Sequence, residues 1–133
     1  MKFRKFLTRS YKDFGLLILR LVAGGVMMLS HGIGKLTSFN DMFHDFGNPI
    51  GLGSETSYIL TVFAEVFCAF ALMIGLFTRF VAIPLMITMA VAFLIVHADD
   101  PFGRKELAFI YFSLYLTLFF TGPGKYSVDN SIL

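Results

Sequence analysis

The chain holds one cysteine, Cys68, which excludes an intramolecular disulfide and any Cys-x-x-Cys redox pair within one subunit. Charge is equally scarce. Only 15% of the 133 residues are Asp, Glu, Lys or Arg, against roughly 25% in an average soluble domain, and 56% are apolar, which excludes an ordinary soluble globule. No flavin, nicotinamide or haem motif is present, and His31 and His97, far apart in the chain, have no ligand spacing that would identify a metal. No cleavage site of small residues follows the first apolar run, which continues through Ser30, His31 and Gly32, so an uncleaved first helix is expected rather than a signal peptide.

What the chain does have is long apolar runs. Residues 14–36, 58–77, 80–97 and 107–122 each approach the ~20 residues that a helix needs to cross a bilayer. The expectation is an all-α integral membrane four-helix bundle, one domain, with nothing left over for a separate catalytic domain. Lys2, Arg4, Lys5, Arg9 and Lys12 precede the first run, while Asp41, Asp45 and Glu55 face only Lys35 in the loop before the second. Positive charge stays on the cytoplasmic side, so both termini are expected in the cytoplasm. Arg79 and Lys125 fit that topology; Arg104 and Lys105, beside Asp99 and Asp100, run against it.

Between the first two runs, Leu36, Phe39, Phe43 and Phe46 recur near helical spacing, predicting a short interfacial helix that starts at Ser38 and stops at Gly47-Asn48-Pro49. Ser54 with Glu55 is expected to cap the second helix. Gly75 to Arg79 leaves room only for a tight turn, so the second and third helices should be antiparallel neighbours. Pro84 belongs in the first turn of the third helix or at a kink. Gly122-Pro123-Gly124 ends the fourth.

Ionisable groups inside these runs are the functional candidates, because a charge at the bilayer centre costs about 2.5–3.5 kcal/mol or more. At 100° per residue, Arg20, Gly24, Met27, His31 and Lys35 share one stripe of the first helix. Glu65 shares a face of the second with Tyr58, Thr61 and Cys68, and Glu106 aligns with Ser113 and Thr117 on the fourth. Arg20 either reaches toward Glu65 or snorkels to inner headgroups. Glu65 must be protonated, paired or wetted, as a proton-exchanging or ligand-contacting carboxyl or as interhelical glue. His31 and His97 read either as ligand contacts or as interface residues. The candidate set is Glu65 and His31 for catalysis, with Arg20, His31, Glu65, His97 and Glu106 around a ligand, and no metal site. His44 and Cys68 read as structural, the latter a small core residue.

Leu19-Arg20-Leu21-Val22, His31-Gly32, Lys35-Leu36, Glu65, Gly75-Leu76-Phe77-Thr78-Arg79, His97 and Gly122-Pro123-Gly124-Lys125-Tyr126-Ser127-Val128-Asp129 follow one another in an order that resembles the DoxX family of small bacterial membrane proteins. The resemblance covers nearly the whole chain after its basic N-terminus, making residues 1–133 one DoxX-like transmembrane domain. It implies a four-helix, multi-pass protein of the bacterial cytoplasmic (inner) membrane, similar to the DoxD subunit of thiosulfate:quinone oxidoreductase. It also implies a link to membrane oxidoreductase systems that handle oxidative and thiol stress. Distant four-helix relatives are associated with disulfide chemistry, against which the lone Cys68 argues.

The leading expectation is therefore a quinone-interacting membrane subunit of an oxidoreductase system. A quinone needs an apolar slot, a donor for one carbonyl and a proton-exchanging group near water, and aromatic walls, Arg20 or His31, and Glu65 are the matching residues. The competing expectation is a non-enzymatic scaffold that recruits a soluble redox protein, its polar stripes serving as interhelical hydrogen bonds. A transporter is disfavoured by the few spans and the lack of paired discontinuous helices. Expected partners are the lipid bilayer and a soluble or membrane redox protein; self-association is compatible with the pattern, and no nucleic acid is expected.

Overall fold

Apolar runs punctuated by glycine turns fold into seven helices with no strand in the computed structural model, which describes residues 1–133. They are α1 (Lys2–Thr8), α2 (Lys12–Thr37), α3 (Phe39–Met42), α4 (Ser54–Ile74), α5 (Thr78–Val96), α6 (Phe102–Thr121) and α7 (Val128–Ile132). The four long helices pack in chain order, α2 on α4, α4 on α5, α5 on α6, and α6 back on α2. One end of the molecule carries both termini and the α4–α5 turn. The opposite end, the loop end, carries residues 38–53 and 97–101.

The α4–α5 turn forms as the glycine predicts. Gly75 adopts φ 74°, the Gly75 N–H bonds the Leu72 carbonyl at 3.1 Å, and the Leu76 N–H bonds that of Ala71 at 2.8 Å, a Schellman closure of α4. Phe77 is also left-handed, at φ 48°, a strained state for a bulky residue. Asp129 holds it there, accepting the N–H groups of Phe77 and Thr78 at 2.7 and 2.9 Å. The C-terminal segment thus caps the third long helix.

Two expectations need correction. Ser54 does not cap α4: its hydroxyl accepts the Gly47 N–H at 3.2 Å, and Glu55 pairs with His44 at 2.9 Å. The interfacial helix shrinks to the four residues of α3, because the rings of Phe39, Phe43 and Phe46 turn onto Tyr58 with centroids 5.7, 5.8 and 5.7 Å away. Pro84 sits inside α5 beyond its first turn, and Thr88 Oγ donates to the Pro84 carbonyl at 2.8 Å.

Three helices, α2, α4 and α5, are long and apolar enough to cross a membrane. Helix α6 has the length, but Arg104, Lys105 and Glu106 stand together near its start, which removes it from that set. Only 24 of 133 residues are buried inside the chain, while Phe80, Phe120 and Leu94 stand 75%, 69% and 66% exposed. Such an outward apolar belt needs an apolar surrounding. The chain is a membrane protein.

The seam between α2 and α4 is built on glycine. A side chain at Gly24 would come within 2.6 Å of the Ala69 carbonyl, and one at Gly32 would collide with the Glu65 carbonyl. Backbones approach this closely only where small residues line the contact, the way helices pack when lipid supplies no hydrophobic drive.

Candidate functional site

Each of the three membrane-length helices carries one π turn: Met28–Gly32 in the loop-end half of α2, Phe63–Cys68 at the middle of α4 and Ala92–Val96 at the loop end of α5. A π turn adds a residue to the coil and swings the following side chains by about 100°, and such turns concentrate at functional sites. His31 lies in the first and Glu65 in the second. The third walls a cavity of about 620 Å³.

That cavity opens between α4 and α5 beneath the loop segment 46–50. Its polar wall consists of Lys35, Ser57, Thr61, Glu65, Thr88 and His97. Leu60, Ile87, Val91 and Ile95 supply apolar wall, and Leu60, Ile87 and Ile95 also stand outward among the exposed apolar residues, so the cavity communicates sideways with the lipid-facing surface.

Glu65 is 4% exposed, and its carboxylate faces Lys35, whose Nζ lies 2.7 Å from Glu65 Oε2. The contact is ionic, and Oε2 has no other donor. Lys35 is held from behind, since its carbonyl accepts the Tyr58 hydroxyl at 2.6 Å. The Phe39–Phe43–Phe46 cluster on Tyr58 therefore positions the ammonium as well as covering the helix end. Ser57, 5% exposed on the same cavity wall, has a hydroxyl with no partner. At the mouth, His97 Nδ1 bonds Asp100 Oδ2 at 2.7 Å. A buried carboxylate–ammonium pair, an unsatisfied hydroxyl and an imidazole–carboxylate pair thus face one cavity with an apolar flank. The set can donate to a carbonyl oxygen, hold a proton and return it toward water through His97.

The structure brings Glu65 and His97 to this cavity and adds Lys35, which the sequence showed only as another member of the Arg20 stripe. Its position four residues after His31, at the end of an apolar helix facing a buried glutamate, was the available signal. The remaining candidates lie elsewhere. His31 is half-buried against Tyr111, with rings edge to face at 6.0 Å, and Tyr111 stacks on Tyr115, whose hydroxyl bonds the Ala23 carbonyl at 3.0 Å. Glu106 is exposed at the loop end. Arg20 is fully enclosed toward the terminal end, where its guanidinium donates to the Met73 carbonyl at 3.0 Å and to the Tyr126 carbonyl. It neither reaches Glu65 nor snorkels; it ties the end of α4 to the C-terminal segment. Cys68 is buried in the core beside Ala23 and Ala69.

Fold and site together define an all-helical membrane protein with a buried ion pair at a cavity that opens toward lipid. The DoxX family model matches residues 15–98, more than half of the chain, and the protein belongs to that family. An uncharacterized protein of Haemophilus influenzae is 28% identical over 127 residues, covering 90% of this chain and 92% of its own. A Bacillus subtilis protein named "Putative oxidoreductase CatD" is 27% identical over 118 residues, covering 88% and 86%. No solved structure matches the chain.

Proposed function

We propose that this protein is the membrane subunit of a quinone-linked oxidoreductase or oxidative-stress system in the bacterial cytoplasmic membrane, spanning it with four helices and both termini inside. The observation that carries the reading is the Lys35–Glu65 pair at the head of the 620 Å³ cavity, which has a polar end and an apolar flank open to the lipid side. A quinone supplies a two-electron, two-proton carrier that is soluble in the bilayer. Its ring would lie between Leu60 and Ile87, and Lys35 and the Ser57 hydroxyl are the donors for its carbonyl oxygens. The Glu65 carboxylate, paired with Lys35, accepts the hydroxyl of the reduced quinol, and the hydrogen bonds from Lys35 and Ser57 strengthen as negative charge develops on the quinone oxygens. Electrons come from a partner, since the chain has no electron-carrier motif of its own. The oxidoreductase name of the Bacillus subtilis relative supports the redox class.

A scaffold role, in which the polar groups only join helices, is the second reading, and the Arg20 network favours it at the terminal end, where every contact made is structural. Purification in mild detergent, with extraction and quantification of bound quinones per mole of protein, separates the two. Wild type should retain quinone and Glu65→Leu should lose it by about tenfold, roughly one charged hydrogen bond. Glu65→Gln should keep binding while losing quinone-linked activity in membranes. No retained quinone, with a stoichiometric protein partner instead, would leave the scaffold standing and the quinone reading refuted.

A further inference from the structure

The two glycine-bearing turns, Gly75 to Arg79 and Gly122 to Ser127, play no part in the quinone site, yet they meet at the terminal end around a second cavity of about 660 Å³. We propose that this cavity binds a phosphate anion, the group presented by the headgroup of an anionic phospholipid. Its cations are Lys12 at the start of α2, Arg79 at the start of α5 and Lys125 in the C-terminal segment. They come from three separate elements and converge only through the fold.

The donors of this cavity are largely free. Arg79 packs over Gly122, where a Cβ would come within 3.4 Å of its Nη2, and it makes one long bond, to the Phe120 carbonyl at 3.3 Å. Most of its five N–H donors stay available, in the fork that suits a phosphate. Thr78, fully buried on the cavity wall, has a hydroxyl with no partner. It opens the 19-residue helix α5, whose leading N–H groups at Phe77 and Thr78 are already taken by Asp129, so the hydroxyl and the three cations are what the cavity offers an anion.

The carboxylates in the cavity are already engaged. Asp13 Oδ1 accepts the Lys125 N–H at 3.0 Å, and both oxygens of Asp129 accept the Phe77 and Thr78 N–H groups. Leu133 at the rim is 91% exposed. Phe14, Phe80 and Phe120, 58%, 75% and 69% exposed at the same end, mark where acyl chains would begin. A site of cations just beyond that level receives a headgroup phosphate without moving its tails out of the bilayer, which favours a lipid over free phosphate.

Full-length protein, delipidated in zwitterionic detergent, would be titrated with dioleoyl phosphatidylglycerol, dioleoyl phosphatidylcholine or inorganic phosphate, and adducts counted by native mass spectrometry. Phosphatidylglycerol should be retained over phosphatidylcholine, and Arg79→Gln should reduce its retention about fivefold. Lys125→Gln should do the same and is the safer variant, because the ammonium of Lys125 holds no other element in place. The control Arg4→Gln/Lys5→Gln removes two charges from α1, one more than either test variant but outside the cavity, and should leave retention unchanged. Phosphate adducts in place of lipid, with the same dependence on Arg79 and Lys125, would support the anion site and identify a free anion as its source. Equal retention in Lys125→Gln and Arg79→Gln, or equal loss in the α1 control, would overturn the proposal.

Discussion

Lys35 and Glu65 meet at 2.7 Å near the loop end, from helices whose backbones touch one turn away, where Gly32 abuts the Glu65 carbonyl. The pair and the close approach depend on one another. Any larger residue at Gly32 separates α2 from α4 and stretches the ion contact, so stability and site geometry share one seam.

Removing one partner should therefore hurt more than removing both. Lys35→Met leaves a carboxylate, 4% exposed, without its cation and is expected to cost about 2–4 kcal/mol, the lower part of the range for a broken buried pair because Lys35 is itself 23% exposed. The double variant Lys35→Met/Glu65→Leu should recover at least half of that. Thermal unfolding in detergent measures the cycle; strictly additive losses would show that the two side chains do not interact.

Gly32→Leu should push the two helices apart, since its Cβ has no space against the Glu65 backbone. A loss of about 1–3 kcal/mol is expected, with cross-linking between cysteines placed on α2 and α4 falling at the loop end. Gly34→Leu, which meets nothing within 4 Å, is the matched control and should leave both readouts unchanged.

Arg20→Lys keeps the charge but not the fork. A single ammonium cannot hold the Met73 and Tyr126 carbonyls together, so about 1.5–3 kcal/mol should be lost. Hydrogen exchange should rise first in residues 122–133. Protection there equal to wild type would mean that Asp129, by capping α5, fixes the C-terminal segment without Arg20.

The five basic residues ahead of the first span argue for cytoplasmic termini. Fusions at the C-terminus to a reporter active only in the periplasm should therefore be silent, and fusions truncated within residues 48–53 active. An active reporter on the intact C-terminus would invert the topology.

The membrane class and the glycine-governed turns at Gly75 and Gly122 were legible because each rests on local chemistry: apolar run length and backbone freedom at positive φ. The number of membrane-length helices was not, since four apolar runs became three such helices among seven. The expected partner of Glu65 was less so. Helical periodicity put Arg20 and Lys35 on one stripe, and the three π turns, which no proline or glycine pattern announces in α4 or α5, change what each side chain faces beyond them. Ser38 to Phe46 had the spacing of an interfacial helix, yet Tyr58 offers those phenyl rings an intramolecular surface, and burial against it outweighs continued helix.

By itself the sequence determined that this chain lives in lipid, where its charges would be costly and therefore informative, and which glycines would turn it. The tertiary structure decided how those charges are used. It enclosed Arg20 among backbone carbonyls, gave Glu65 to Lys35, and gathered Lys12, Arg79 and Lys125 from distant segments around one cavity. The reason is physical: the cost of an ionisable group in a membrane is set by its own chemistry, but the partner that relieves it lies across the packing of separate helices, at a distance that only close backbone approach at residues such as Gly32 can fix.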